Sequence, residues 1–488
     1  MDSMGSHVTD TSGIFIDGAF QDGEDAIAVE DPATGEAVAA IAEAGQTGVE
    51  MAIDAAQAAQ AEWIGLAPAE RGRILRAFAD AIADHADELA ELTTLENGRP
   101  ISQSRGMMNS TPGYLEYYAG ATDKLEGQTI PVPAGQHAFT QREPLGVSGQ
   151  ILPWNAPVLL CARGVAPALA AGNGVVVKPA PEAPFGVARM AELGTEAGLP
   201  AGLFNVVPGG AETGEALSTN GRIDEITFTG SVATGKHVGK AAVDNIVPMA
   251  LELGGKSPAV VFDDADIEDA VDGAIHAISF ISGQVCFATT RIFVQSGIYD
   301  AFREQFIEAV ADLTVGPGAD DPDVGPLISS DGLAKVEGYV SEALENGSVA
   351  SVGGTPLDRD GHFFEPTVIE GASDDDPISC DEVFGPVLNL YEFESEEEAI
   401  RRANDTEFGL YATVWTNTLD RAHRVANAIE AGSVMVNQYA GSYPQTPFGG
   451  YKNSGIGREK GFQALEHYTQ LKTVNIDFDS DDGGAYDG

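Results

Sequence analysis

Apolar residues recur every three or four positions between about residues 47 and 97, which is the spacing of one face of an α-helix. In the second part of this stretch the repeating positions are Ile74, Leu75, Phe78, Ile82, Leu89 and Leu92. Gly98 follows them and is a suitable terminator, because glycine readily takes the left-handed conformation that ends many helices. The pattern predicts two helices, the second ending near residue 97.

After residue 145, short apolar runs alternate with longer helical patterns. The runs are "GVSGQILPWN", "GVVVKP", "LFNVVPGG" and "EITFTGS". Apolar strands that alternate with helices form parallel sheets covered on both faces, so the pattern predicts a doubly wound α/β fold. A similar series starts at "SPAVVF" (257–262), continues with a helix from about 266 to 281 and reaches the strand "TTRIFVQ". It indicates a second α/β domain beginning near residue 253.

The stretch "KTVNIDF" (472–478) alternates the apolar residues Val474, Ile476 and Phe478 with polar ones. A period of two residues is typical of a strand with one buried face. The partner of this strand could be another subunit, because an exposed strand edge pairs readily with a second chain.

The chain of 488 residues contains 26 Lys and Arg against 75 Asp and Glu, a formal net charge of −49. The acids are spread along the whole chain, so we interpret them as a solvated coat adapted to a salt-rich cytoplasm. Nucleic acid binding is not expected, because its phosphates would meet a surface of their own sign. No apolar run approaches the roughly 20 residues of a membrane span, and no secretory signal is visible, so we expect no membrane partner and a cytoplasmic location.

The three cysteines, Cys161, Cys286 and Cys380, are too few and too scattered for a disulfide framework or a zinc site, and the histidines do not cluster, so no metal site is predicted. Cys161 lies inside the apolar helical pattern "PVLLCARGVAPALA" and is interpreted as structural. Cys286 instead lies between a predicted helix and a predicted strand, on a connection where reactive groups tend to be displayed. It is the candidate nucleophile.

A cysteine nucleophile needs a base and an oxyanion stabiliser. Glu252 in "LELGGKSP" and Asn155 in "LPWNAP" lie at strand ends of the first domain, but alone each is as well explained by a paired carboxylate or a turn. The dinucleotide fingerprint GxGxxG is absent. Gly230 and Ser231 in "FTGSVATG" stand at a strand-to-helix turn, which is either a phosphate site or a plain turn.

Taken together, these segments resemble the aldehyde dehydrogenase superfamily in order and spacing. The matching stretches are "PWNAP", "AGNGVVVKPA", "FTGS", "LELGGKSP", "GQVC", "EVFGPV", "PFGGYKNSGIGRE" and "YTQLKTV". They cover the chain from about residue 12 to 478, and the 34-residue interval from Glu252 to Cys286 is also that of the family. So many ordered motifs are a far more specific signal than any one of them.

The resemblance implies a hydrolytic oxidation of an aldehyde to a carboxylic acid. The Cys286 thiolate attacks the aldehyde carbon, and the oxyanion of the thiohemiacetal is held by the Asn155 amide and the Cys286 N–H. Hydride then passes to NAD(P)+ and leaves a thioester. Glu252 matches the general base that activates water to hydrolyse this thioester. Two alternatives stay open: a relative that transfers the acyl group to coenzyme A, and a non-catalytic relative with a binding or structural role.

For the cofactor, the resemblance assigns Lys178 to the adenosine ribose, and Lys178 is counted among the catalytic residues as well. The remaining cofactor residues that it implies are Leu152, Trp154, Glu182, Gly230, Ser231, Glu382 and Phe384. Many NAD-preferring relatives carry a glutamate three positions after the lysine, where this chain has Pro181 and places the carboxylate one later, at Glu182. The cofactor is therefore predicted to be NAD or NADP, with the preference open.

For the substrate, relatives that act on acid semialdehydes often bind the distal carboxylate with two arginines. Arg163 fits the first position, but Phe280 stands at the second. The predicted pocket residues are Arg163, Phe280, Val285, Phe287 and Phe448. We expect an uncharged aliphatic or aromatic aldehyde. Gln470 in "YTQLKTV" replaces an acid that in many relatives is thought to assist proton relay, which puts that assistance in doubt.

The resemblance also implies a division of the chain and an oligomer. Residues 1–123 and 144–252 are expected to form the dinucleotide-binding domain, and residues 253–469 the catalytic domain. Residues 124–143 and 470–480 are expected to form a small β extension at the interface of a homodimer or homotetramer. Residues 481–488 have the composition of an acidic disordered tail.

The charge distribution makes a prediction about salt. Because dispersed carboxylates repel one another in dilute buffer and are screened by added ions, the free energy of unfolding is expected to rise with KCl concentration. Urea unfolding across a KCl series measures it. Greatest stability at the lowest salt concentration would show that the salt-adaptation hypothesis is wrong.

Overall fold

The computed structural model describes residues 11–23, 25–439 and 443–478. The predicted acidic tail, residues 481–488, lies outside the described residues. The strands are, in chain order, β1 (Ile14–Ile16), β2 (Ala19–Gln21), β3 (Asp25–Asp31), β4 (Glu36–Glu43), β5 (Thr129–Ile130), β6 (Gln136–Pro144), β7 (Val147–Ile151), β8 (Gly174–Lys178), β9 (Phe204–Val206), β10 (Glu225–Thr229), β11 (Met249–Glu252), β12 (Pro258–Val261), β13 (Arg291–Gln295), β14 (Val349–Val352), β15 (Thr367–Glu370), β16 (Val387–Phe393), β17 (Phe408–Gly409), β18 (Tyr411–Trp415), β19 (Ser433–Val436), β20 (Tyr451–Lys452), β21 (Gly455–Ile456) and β22 (Thr469–Asp477).

The α-helices are, in chain order, α1 (Gly45–Gly65), α2 (Pro68–Asp84), α3 (Ala86–Asn97), α4 (Ile101–Ser110), α5 (Pro112–Ala119), α6 (Pro157–Ala171), α7 (Phe185–Glu196), α8 (Ala211–Ser218), α9 (Val232–Asn245), α10 (Ile267–Ser279), α11 (Tyr299–Ala311), α12 (Ser330–Glu345), α13 (Pro377–Cys380), α14 (Glu396–Asn404), α15 (Leu419–Ala428) and α16 (Gly461–His467).

The first sheet has the strand order β2-β1-β9-β8-β7-β10-β11-β21. Its central strands β9, β8, β7, β10 and β11 are parallel. β7 and β8 are buried along their whole length, as expected for strands with helices on both faces. Among these helices, α1 is tied to α6 by the Trp63 indole, which donates to the Leu169 carbonyl at 2.8 Å.

The second sheet has the order β14-β15-β16-β13-β12-β18-β19, and its strands are parallel except for β14. Phe302 and Phe306 of α11 are fully buried against one face, whereas Phe262 and Phe393 stack edge to face in a cluster on the other. The prediction of an α/β fold with two doubly wound parallel sheets is therefore confirmed.

The chain returns to the first sheet after completing the second. β21 pairs with β11 through Leu251 opposite Ile456 and Glu252 opposite Gly455. α16 then packs against α6. Residues 455–467 thus join the first sheet and its helices, although they fall within the segment predicted as catalytic domain, 253–469. The division into domains stays a prediction.

The third sheet is the small extension, with the order β22-β6-β5. β22 pairs antiparallel with β6 along its whole length, from Thr469 opposite Pro144 to Asp477 opposite Gln136. We predicted a strand here whose partner could be another subunit, and within this chain its partner is β6. The predicted oligomer itself stays a prediction.

The predicted pair of helices between residues 47 and 97 is a set of three, so that expectation was wrong. His85 leaves the helical region, with φ −110° and ψ 19°, and separates α2 from α3. Its Nδ1 lies 2.8 Å from the Ala81 carbonyl, so the side chain satisfies a backbone group at the end of α2. Gly98 terminates α3 in the left-handed conformation, as predicted, at φ 74°. Across the described residues, every helix is too short or too polar to cross a membrane.

Gly98 generates a prediction about stability. A non-glycine residue in this conformation costs about 1–2 kcal/mol, and a Cβ at Gly98 would lie 2.8 Å from Cγ of Pro32 and also overlap Pro326. Gly98→Ala is expected to lower the free energy of unfolding by about 2 kcal/mol or more. In Gly338→Ala, inside α12 with no atom within 4 Å of the new Cβ, stability should rise by up to about 1 kcal/mol. Urea unfolding of both variants at one KCl concentration tests this; equal effects of the two would contradict it.

Candidate active site

The turn before Cys286 ends α10 abruptly. Ile281, Ser282 and Gly283 are all left-handed, with φ of 50°, 55° and 70°. A β-branched residue is rarely left-handed, so this turn must be held by its surroundings. The Ile281 N–H donates to Oε1 of Gln103 at 2.9 Å, and the Ser282 hydroxyl donates to the Gly325 carbonyl at 2.9 Å. The turn therefore directs the following residues, including Cys286, away from the helix axis.

Cys286 lies half-buried in the wall of a cavity of 710 Å³ between the two main sheets. Burial raises the pKa of its thiol to about 12, with the Arg163 charge opposing the rise and the Glu382 and Glu252 charges adding to it. The other cysteines differ. Cys161 is fully buried in α6, and Cys380 is exposed with its Sγ 3.2 Å from the Asp374 carbonyl.

Asn155 lies in the wall of the same cavity, between the end of β7 and the start of α6. Its Nδ2 donates to the Gln284 carbonyl at 2.9 Å, two residues before the thiol. An amide nitrogen carries two hydrogens, so one donor remains for a ligand in the cavity. Asn155 is thus tied directly to the segment that carries Cys286.

Glu252 ends β11 and is 2% exposed. Among the described residues neither carboxyl oxygen has a hydrogen-bond partner. Burial raises the pKa of Glu252 well above its ordinary value, and Glu459 adds to the rise, while Arg163, Arg458 and Lys460 oppose it. The carboxyl does not line the cavity; its Oε1 lies 2.8 Å from where a Cβ at Gly449 would stand.

The sequence did not identify Glu459 as a site residue, although it belongs to the quoted stretch "PFGGYKNSGIGRE". Its carboxylate forms a buried ion pair with Arg163. Burial lowers the pKa of Arg163, but the charges of Glu459 and Glu252 outweigh it and hold that pKa above its usual range. The predicted pocket arginine is therefore already paired within the protein.

The predicted substrate residues all line the cavity of Cys286: they are Arg163, Phe280, Val285, Phe287 and Phe448. The structure adds Tyr411 and Tyr443 to the residues that line this cavity. The ring centroid of Tyr411 lies 5.4 Å from that of Phe287. The Arg163 guanidinium lies over the Phe448 ring at 4.7 Å, and the Lys460 Nζ lies 5.2 Å from the same ring. The cavity lining is therefore mostly apolar and contains several aromatic rings.

A second cavity of 810 Å³ lies at the carboxyl ends of β7, β8 and β10, where ligands bind in open α/β sheets. The predicted cofactor residues that line it are Leu152, Trp154, Lys178, Gly230 and Ser231. Ser231 caps α9, its Oγ accepting from the Thr234 N–H at 3.2 Å. A helix N-terminus and a lysine at one cavity suit a dinucleotide, because both stabilise negative charge.

Lys178 is buried and donates to the carbonyls of Pro179, at 2.8 Å, and Gly209, at 2.7 Å. Burial lowers its pKa to about 8, and the charges of Glu182 and Glu43 oppose this. Of the three hydrogens of an ammonium group, two are therefore directed at carbonyls and one remains for a hydroxyl in the cavity.

Three predicted cofactor residues, Glu182, Glu382 and Phe384, are not among those that line this cavity. Glu382 accepts from the Gly255 N–H at 3.0 Å, and burial raises its pKa to about 7. The Phe384 ring packs edge to face on Trp154 with centroids 5.4 Å apart. Glu182 acts on the site only through its charge, while its neighbour Pro181 lines the cavity.

Gln470 lies in the extension sheet, on β22. It is exposed on β22, opposite Glu143, and lines neither cavity. The doubt that Gln470 raises about proton relay stays a prediction. The acid that does lie near the candidate base is Glu459, whose charge acts on Glu252.

The chain is similar over nearly its whole length to several solved structures. An aldehyde dehydrogenase from Bacillus cereus, solved as an NAD+ complex, is 36% identical with a TM-score of 0.96, over 98% of this chain and 99% of that one. An NADP-dependent enzyme from E. coli is 38% identical with a TM-score of 0.93, over 96% and 98%. A betaine aldehyde dehydrogenase point mutant from Staphylococcus aureus, bound to NAD+, is 39% identical with a TM-score of 0.94, over 96% and 98%.

The family model described as the aldehyde dehydrogenase family matches residues 20–474 of this chain. The match covers the second sheet, the first sheet except β1 and the start of β2, both cavities and most of the extension. The resemblance read from the ordered motifs is thereby confirmed, as is the prediction of an aldehyde-oxidising enzyme. This chain belongs to the aldehyde dehydrogenase family.

Proposed function

We propose that this protein oxidises an aldehyde to the carboxylic acid through a thioester on Cys286, which water hydrolyses with Glu252 as base. The observation that carries the proposal is the cavity of 710 Å³ whose wall contains both the thiol and the Asn155 amide. A nucleophile and an oxyanion donor at one cavity are the two groups that attack on a carbonyl requires.

The first step forms a bond between the Cys286 sulfur and the aldehyde carbon, and the carbonyl π electrons move to the oxygen. The remaining N–H of Asn155 Nδ2 donates to this oxyanion. Burial holds the pKa of the Cys286 thiol high, so a nearby group must accept the thiol proton before the attack. Glu252 is the acceptor that we propose, because its charge acts on Cys286, as that of Glu382 also does.

The cofactor is NAD+ or NADP+, as predicted, and the relatives bound to NAD+ or described as NADP-dependent support both. When bound, it accepts the aldehyde hydrogen with its electron pair. Lys178 would hold a ribose hydroxyl, Ser231 at the N-terminus of α9 would face the pyrophosphate, and Trp154 would form one wall. The oxyanion then collapses to the carbonyl of a thioester on Cys286.

Hydrolysis completes the turnover. Glu252 first releases the thiol proton to solvent and then takes a proton from water. The hydroxide oxygen bonds to the acyl carbon, the carbon–sulfur bond breaks, and the leaving sulfur takes that proton, which releases the acid and the thiol. A carboxyl with a raised pKa is a stronger base than an exposed one. Since the Glu252 carboxyl lies against Gly449, this step requires its rotation towards Cys286.

Two variants separate the two chemical roles. Cys286→Ala is expected to form no NADH or NADPH from aldehydes, because the carbon–sulfur bond cannot form. Glu252→Gln is expected to form about one equivalent per site, more slowly than the wild type because glutamine cannot accept the thiol proton, and then to stall with the mass of the acyl group retained on Cys286. Absorbance of the reduced cofactor and intact-protein mass spectrometry measure both outcomes. Cys380→Ala, which removes an exposed cysteine, is the matched control and should retain full activity.

Two results would contradict this mechanism. The first is a wild-type rate in Cys286→Ala, which would remove the nucleophile. The second is a wild-type enzyme that turns over only with coenzyme A and releases acyl-CoA, which would make the thioester acceptor a thiol instead of water.

The substrate class that we propose is an uncharged aliphatic or aromatic aldehyde. Arg163 is neutralised by Glu459 and packed on Phe448, so it offers no free charge to a distal carboxylate. Burial and the neighbouring Arg163 charge lower the pKa of Lys460 to about 7, which weakens the other cation near the cavity at neutral pH. The aromatic wall formed by Phe280 and its neighbours favours apolar groups.

An aldehyde panel tests the substrate class. At pH 8, where Lys460 is mostly neutral, kcat/KM for benzaldehyde and hexanal should exceed that for succinate semialdehyde by about tenfold or more, the range that a mismatch with an apolar pocket produces. Betaine aldehyde belongs in the panel because one similar protein is a betaine aldehyde dehydrogenase. A clear preference for the semialdehyde or for betaine aldehyde would show that the proposed class is wrong.

A further inference from the structure

Arg99 is a buried cation beside the active site that the proposed chemistry does not use. It lies between α3 and α4 and is 1% exposed. Its Nη2 donates to the Asn155 carbonyl, and its Nη1 contacts the Met107 sulfur. Burial lowers its pKa to about 9, and among the described residues no carboxylate offsets that effect. Arg99 is thus a buried cation whose Nη2 donates to the Asn155 carbonyl.

Asn97 completes a clamp on the same peptide. Its Nδ2 lies 3.4 Å from the carbonyl oxygens of both Trp154 and Asn155. Its Oδ1 accepts from the Arg99 N–H at 3.1 Å, which orients the Arg99 backbone. The Asn155 carbonyl therefore accepts from two side chains that themselves are joined, so the peptide plane of Asn155 is fixed.

The Asn155 side chain is held on its opposite side by Gln284. Gln284 in turn is anchored to a segment of the second domain, where the Ile328 N–H donates to its Oε1 at 3.0 Å and its Nε2 donates to the Pro326 carbonyl at 3.3 Å. The segment of Cys286 and residues 325–328 are therefore joined through both polar atoms of the Gln284 side chain.

Residues 318–328 also lie directly against the backbone of Gly98 and Arg99. A Cβ at Gly325 would overlap the Gly98 carbonyl, and a Cβ at Gly318 would overlap the Arg99 carbonyl. Such close approach of backbones is possible only for glycine. Contacts thus run from Arg99 to Asn155, to Gln284, to residues 325–328 and back to the segment of Arg99.

We propose that Arg99 is a positioning residue, which fixes the main chain of Asn155 so that its amide hydrogen faces the oxyanion formed at Cys286. This inference rests on the proposed function, because it needs Asn155 to be the oxyanion donor. A donor contributes only when it is aimed at the place where the charge develops, so a small rotation of the Asn155 peptide weakens it.

Arg99→Met tests the role. Loss of one oxyanion donor lowers kcat by about 10²–10³, and a misdirected donor should lower it by about tenfold or more. KM for the cofactor should stay within twofold. Alkylation of Cys286 by iodoacetamide should also keep its rate, because displacement of iodide forms no oxyanion. Arg71→Met is the matched control: Arg71 is buried, donates to the Leu66 carbonyl at 3.1 Å and is absent from both cavities.

A double-mutant cycle shows whether Arg99 acts through Asn155. Asn155→Ala removes the donor, so adding Arg99→Met to it should lower kcat by less than about twofold further. Independent, multiplying effects of the two substitutions would overturn the proposal, as would a parallel loss of iodoacetamide reactivity in Arg99→Met, which would indicate general disruption of the nucleophile segment.

The proposed function and the positioning role fail in different ways. If Asn155→Ala retains the wild-type kcat, Asn155 is not the donor and both ideas are wrong. If Asn155→Ala loses activity while Arg99→Met retains it, only the positioning role is wrong. Should Arg99→Met not fold, Arg99→Gln, which keeps one neutral donor, is carried through the same cycle and judged by the same coupling with Asn155→Ala.

Discussion

The hydrogen bond from the Asn155 amide to the Gln284 carbonyl is the constraint on which the active site depends. Asn155 lies between β7 and α6 of the first sheet and its helices, whereas Gln284 lies between α10 and β13 of the second sheet and precedes Cys286 by two residues. At 2.9 Å, this bond joins the proposed oxyanion donor to the segment that carries the proposed nucleophile. Catalytic groups must be held to within about half an ångström, which one bond alone does not achieve. The clamp on the Asn155 carbonyl and the anchoring of Gln284 supply the remaining rigidity.

The access of Cys286 to the cavity is a consequence of how α10 ends. A cysteine inside a helix such as α6 is buried on all sides, as Cys161 is. Ile281 and Ser282 instead adopt left-handed conformations that would be costly in isolation, and Gln103 and Gly325 hold them there. The turn gives Cys286 access to the cavity while keeping it close enough to the interior for burial to raise its pKa. The same surroundings therefore make the thiol accessible and make it depend on a base.

Most of the fold could be predicted from local sequence patterns, and the central candidate residues could be predicted from the ordered motifs. β7, β8 and β10 were predictable because apolar runs and turns recur within a few residues, and Cys286, Asn155 and Glu252 could be identified from the resemblance. The pairing of Arg163 with Glu459 could not, because 296 positions separate them and no local pattern records the contact. The break at His85 was missed for a related reason: apolar spacing continues across it. Gln470 could be placed only when β22 was seen to pair with β6.

The few cations of the chain are divided unevenly between its interior and its surface. Of 26 Lys and Arg, seven are buried among the described residues: Arg71, Arg99, Arg163, Lys178, Lys256, Arg291 and Lys460. The buried acids there are four of 75: Glu96, Glu225, Glu252 and Glu459. The interior of the described residues is therefore richer in cations than in acids, and the surface is more acidic than the net charge alone indicates. Salt screens exposed charges far more than buried ones, so ions that relieve the repulsion at the surface leave the Arg163–Glu459 pair and the Arg99 clamp largely unchanged.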